Sequence, residues 1–170
     1  MKKFALKTFA AIALTAFGVS AQADNVTATT TAVVVAPISS TVVTQLSFGR
    51  FAPKPTETSV ETGAQGGWTG TAILMDAPGV PGLITMTGEP DAYYILSGDS
   101  MECQDLSNGA GNTMRACFDY ITSGNGAVAY EGTFDATGNA TVNIGGTLIV
   151  PANAPAGTYT GTRTIAVNYN

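Results

Sequence analysis

Residues 159–169 read YTGTRTIAVNY, in which Tyr159, Gly161, Arg163, Ile165, Val167 and Tyr169 alternate with Thr160, Thr162, Thr164, Ala166 and Asn168. One face is heavy and the other light, the pattern of a strand that buries one side of a sheet. Downstream of residue 24, Thr, Val, Ala, Gly and Ile dominate, and no segment sustains apolar residues at helical spacing over three turns. Strands are therefore expected throughout.

Working back from the C-terminus, residues 140–150, 127–134 and 116–122 read as strands. The turns Asp135-Ala136-Thr137-Gly138 and Ser123-Gly124-Asn125-Gly126 separate them. Residues 98–114 are polar and Gly-rich and predict a loop. Further strands are expected at 92–96, 83–87 and 68–75, set apart by Gly88-Glu89-Pro90, Pro81-Gly82 and Pro78-Gly79. Residues 41–48 form another, before a loop at Gly49 and Pro53-Lys54-Pro55. Short strands between regular turn signals predict an all-β fold, an immunoglobulin-like β-sandwich.

The N-terminal run NVTATTTAVVVAPI, residues 25–38, places Val26, Ala28, Thr30, Ala32, Val34 and Ala36 on one face of a long extended segment that turns at Pro37. Ahead of it, Lys2, Lys3 and Lys7, an apolar stretch from Thr8 to Val19, and Ala21-Gln22-Ala23 have the layout of an export signal cleaved after Ala23. The expected organisation is a signal peptide (1–23), an N-terminal extension (24–36) and a β-sandwich domain (37–170). Cutting 23 residues from 170 leaves 147, enough for one core.

Three of the seven basic residues precede the cut, leaving four against 12 acidic ones, a net charge of −8. Phosphate binding needs clustered Lys and Arg, so nucleic acid is a poor partner. Histidine is absent, which removes the commonest general base and His-ligated zinc. Cys103 and Cys117, the two cysteines, are expected to pair after export, closing a loop whose cross-link contributes about 3 kcal/mol.

Tyr169 is penultimate and Gly157 stands fourteenth from the end. In this the chain resembles chaperone–usher pilins. Residues 25–53 with the turn Leu46-Ser47-Phe48-Gly49 look like the start of spore coat protein U and archaic chaperone–usher subunits, although Pro37-Ile38 stands where those families usually carry a cysteine. The Leu-x-Phe-Gly turn, Gly145-Gly146-Thr147-Leu148-x-Val150, and Pro155-x-Gly157-x-Tyr159-x-Gly161 running to Val167-x-Tyr169 also resemble a family of secreted bacterial domains of unknown function, over nearly the whole mature chain.

The pilin resemblance implies a sandwich that lacks a strand and is completed by a neighbour's. The extension, with Val26, Ala28, Thr30, Ala32, Val34 and Ala36, would be the donor strand. The C-terminal strand, with Gly157, Tyr159, Ile165, Val167, Tyr169 and Asn170, would pair with a periplasmic chaperone before an outer-membrane usher passes the subunit to a surface fibre or spore-coat-like layer. No catalytic residue, metal or cofactor is expected. A self-contained secreted binding or adhesion sandwich is the alternative reading, and a small outer-membrane β-barrel a further one. Asp99, Glu102 and Asp105, with Glu89 and Asp91 near, read as a solvated acidic loop or a calcium-holding one. Asp119 and Glu131 are a carboxylate pair that nothing in the sequence brings together.

Overall fold

The computed structural model describes residues 29, 31–97, 103–123 and 130–170. By its internal contacts the chain divides into Met1–Val33 and Val34–Asn170. In the first unit the described residues are Thr29, Thr31, Ala32 and Val33, all exposed and in no strand or helix. The predicted export signal and Val26, Ala28 and Thr30 lie outside the described residues.

The second unit is all-β. Its strands are β1 (Ser39–Thr44), β2 (Phe51–Ala52), β3 (Thr58–Thr62), β4 (Trp68–Gly70), β5 (Ile73–Leu74), β6 (Gly82–Thr87), β7 (Tyr93–Ser97), β8 (Cys103–Ser107), β9 (Thr113–Thr122), β10 (Glu131–Thr133), β11 (Asn139–Val150) and β12 (Ala166–Tyr169). They form a seven-stranded sheet, a three-stranded sheet and a small β2–β5 ribbon, stacked as a β-sandwich.

β11 organises the larger sheet. Ala140, Val142, Leu148 and Val150 point inward from it. One edge pairs with β9 from Val142 to Ile149. The other pairs with β6 over Asn139–Ile144 and then with β3 over Gly146–Val150. An edge shared by successive partners needs a point where the partner backbone can cross closely, and Gly145 supplies it. A Cβ there would lie 2.6 Å from the Thr62 carbonyl oxygen and 2.8 Å from the Gly63 carbonyl carbon. β1 continues the sheet beyond β6, β4 beyond β3, and β8 beyond β9.

The smaller sheet runs β10-β7-β12 and faces part of the larger one. Between them lie Ile84, Met86, Tyr120, Ala140 and Val142 on one side and Tyr94, Leu96 and Phe134 on the other. The Tyr94 and Phe134 rings meet at 4.9 Å, and each large side chain so buried stabilises the fold by roughly 1.5–3 kcal/mol. The rest of the large sheet, with Val60, Leu106, Met114, Ala116, Leu148 and Val150, is covered by Phe48, Ala72 and Ala154, with Leu46, Phe51, Trp68, Leu74 and Tyr159 half-buried around them. The Leu-x-Phe-Gly motif is thus a core anchor: Leu46 and Phe48 pack inward, and Gly49 reverses the chain at φ +73°.

Several expectations need correction. Residues 159–169 are strand only from Ala166. Thr160 bridges Ser107 of β8, in the large sheet, and the chain then crosses to β7 in the small one, so neither sheet can pair residues 161–165. Residues 98–114 are not all loop: Cys103–Ser107 is β8, registered with β9 so that Cys103 faces Cys117, and these two form a disulfide. Residues 68–75 break into β4 and β5. The strand expected at 41–48 is β1, from Ser39 to Thr44, and the described residues 31–38 are in no strand. β3 was illegible because its inward face carries Thr58 and Thr62 beside Val60, a pattern without apolar alternation; Thr62 Oγ1 donates to the Ser47 carbonyl at 3.1 Å.

Candidate functional site

β1 ends the large sheet and pairs with β6; β12 ends the small sheet and pairs with β7. Among the described residues neither has a strand partner on its other edge. The two edges flank the same side of the sandwich, because Tyr169 Oη donates to the Ala36 carbonyl at 2.6 Å and both Ile38 and Tyr169 pack on one core. On the opposite side Thr122 Oγ1 of β9 donates to the Glu131 carbonyl of β10 at 2.6 Å, tying the sheets together.

The side flanked by β1 and β12 is open. In β1, Ser40 stands opposite Met86 and Val42 opposite Ile84, so both share the inward face of β6. Met86 and Ile84 are 2% and 8% exposed, yet Val42 is 60% exposed. Among the described residues the small sheet stops at β12 and lays no strand across β1. β12 shows the same deficit: Val167 and Tyr169 are half-buried while Tyr94 and Leu96 of β7 are buried. The two edges, unpaired among the described residues, thus border a groove in which Val42 is exposed, a template for an added strand. A register shift at Val43, itself 57% exposed, bends β1.

Of the expected donor-strand residues, Ala32, Val34 and Ala36 are exposed and in no strand, Val34 at 95%. Of the expected C-terminal strand, Ile165, Val167 and Tyr169 pack half-buried on the core. Tyr159 packs farther along and donates its hydroxyl to the Pro155 carbonyl at 2.9 Å. Gly157 is exposed, and Asn170 donates its N–H to the Tyr93 carbonyl.

Arg163 and Glu89 take roles that the sequence pattern does not show. Arg163 stacks its guanidinium over Phe118 at 4.4 Å and Tyr120 at 5.5 Å, inside the crossing segment. Burial pushes the Tyr120 phenol up to about 12, with Arg163 opposing the rise. The folded state therefore favours the neutral phenol, and that stability, complete below pH 10, is lost as pH climbs from about 10 to 12. Alkaline melts should show this loss, and Tyr120→Phe should reduce it, Tyr94, which burial also pushes up, accounting for part of the remainder.

Asp99 and Glu102 lie outside the described residues, Asp105 is registered with Arg115 across β8 and β9, and Asp119 and Glu131 sit on strands of different sheets. No metal-binding group of His, Cys, Asp or Glu occurs among the described residues. A shallow cavity of about 280 Å³ is lined by Ser123, Thr133, Asp135, Asn139, Ala140 and Thr141. Its Asp135 carboxylate is held below the usual range by hydrogen bonds from Asn139, Thr137 and Gly138, as the anchor of the predicted 135–138 turn.

The family model for a domain of unknown function (DUF4402) matches residues 37–169. The chain belongs to this family. No curated protein and no solved structure matches it. The DUF4402 domain opens one residue after Ala36 and closes at Tyr169, so its two ends meet at the rim of the groove.

Proposed function

We propose that this DUF4402 protein is a structural subunit of a bacterial surface fibre or coat, polymerising when the N-terminal extension of one copy, residues 24–36, enters the groove of the next. The observation that supports this is the 60% exposure of Val42 on the inward face of a sandwich whose neighbouring inward residues are buried. A strand laid beside β12 covers Val42, pairs with the free edge, and completes the smaller sheet by β-augmentation. The extension suits that place, since its alternate apolar residues match a surface buried on one side.

The Cys103–Cys117 disulfide accords with export to an oxidising compartment. On this reading a periplasmic chaperone covers the groove by lending a strand to the C-terminal strand, and an outer-membrane usher hands the subunit to the fibre; the subunit performs no catalysis. The test is a native envelope fraction run with and without boiling in detergent. A ladder that collapses on boiling to one band near the mature mass is expected. An unchanged monomer in both lanes would point instead to a self-contained secreted sandwich.

A further inference from the structure

Ala36, the last residue of the extension, has both of its backbone polar groups held by distant side chains. Its N–H donates to Glu89 Oε2 at 2.9 Å, and its carbonyl accepts from Tyr169 Oη at 2.6 Å. The loop closes on itself, because the Glu89 N–H donates to the same Tyr169 oxygen at 2.6 Å. The Tyr169 ring is wedged edge-on to Phe134 at 6.0 Å, and Gly88 leaves it room: a Cβ there would stand 2.7 Å from both Tyr169 Oη and Phe134 Cζ. The ring is thus positioned by the core while its hydroxyl reaches the chain outside.

This arrangement lies where the chain would otherwise fold back. Val34 and Val35, 95% and 50% exposed, stand a few residues from Val42, 60% exposed on the open inward face. Reversing the chain over residues 34–38 would carry the extension toward its own groove and bury these valines, which the hydrophobic effect favours. Two features oppose the reversal. Pro37 restricts Ala36 to extended conformations, and the Glu89 and Tyr169 bonds occupy the N–H and carbonyl that a hairpin at this point would use.

We infer that Glu89 and Tyr169 form a steering clip that denies the extension its own groove and so keeps it for a second copy of this chain. The inference rests on the proposed strand exchange for its purpose, but not for its test. Both are positioning residues acting through the backbone of Ala36. Tyr169→Phe removes the hydroxyl and keeps the ring; Glu89→Ala removes the carboxylate.

The experiment uses the exported protein carrying Val34→Cys and Val42→Cys, both at exposed positions, at high dilution with a short bis-maleimide. Mass spectrometry then separates internally linked from singly modified chains. With the clip intact, internal linkage should be rare. Adding Tyr169→Phe and Glu89→Ala should raise its ratio about tenfold, the shift expected from losing the two hydrogen bonds that hold Ala36, one of them to a carboxylate. In parallel, the clip variant without the added cysteines should shift from ladder toward monomer with an unchanged or higher Tm, which a merely destabilising change would not produce. Equal internal linkage with and without the clip overturns the inference. A rise in linkage in a protein whose wild type forms no ladder sustains the clip and removes the fibre reading.

Discussion

Deleting residues 24–36 should convert a detergent-resistant ladder wholly into monomer, while the remaining domain stays folded and binds a peptide of those residues added in trans. The expected effect is large because the peptide carries Val26, Val34 and neighbouring apolar residues, each large side chain contributing about 1.5–3 kcal/mol on burial, together roughly 5–10 kcal/mol before ordering costs. At about 1.4 kcal/mol per tenfold, that spans several orders of magnitude in affinity. The peptide should raise the Tm of the truncated domain, and a peptide with Val26→Asp and Val34→Asp should not. An undiminished ladder after deletion would place the donor elsewhere in the chain. Unfolding on deletion would make the extension an internal strand of its own sandwich.

Gly145→Ala should be strongly destabilising. At this position β11 passes from β6 to β3, and the new methyl would press on the Ala64 nitrogen, the Thr62 oxygen at 2.6 Å and the Gly63 carbonyl carbon at 2.8 Å. All are backbone atoms, which no rotamer change can move aside. Overpacking of this kind costs about 3 kcal/mol, and a Tm fall on the order of 10 °C follows for a domain of this size. Gly157→Ala is the matched control: a Cβ there would meet Asn108 side-chain atoms at 3.5 and 3.6 Å, ordinary contact, so its Tm should stay within a degree or two. Thermal melts of the two purified variants decide it. Equal effects would mean that the partner switch at Gly145 does not require glycine.

The two glycines also mark how far a motif can be read. Gly145 and Gly157 are equivalent letters in the sequence, and both lie within residues 37–169, which the family model matches. Only the backbone crossing at the end of β3 distinguishes a residue that must be glycine from one that stands in open space. The Leu46-x-Phe48-Gly49 turn was named through a family resemblance, and only the structure shows Leu46 and Phe48 packed on the core with Gly49 at positive φ.

By itself the sequence determined the all-β class, the strands 83–87, 92–96 and 140–150 to within a residue or so, the 135–138 turn and the Cys103–Cys117 pairing. Those follow from local alternation, from turn chemistry and from the presence of two cysteines, all of which act over a few residues or by elimination. Only the tertiary structure decided that residues 161–165 belong to no strand, that β3 exists, and that Ala36 meets Glu89 and Tyr169, 53 and 133 residues away. Only it placed Val42 on an inward face and left it 60% exposed there. Strand partners along a shared edge, and the absence of one, are set by which distant segments can approach, and a period of two along the chain records which side of a sheet a residue faces but not what lies opposite.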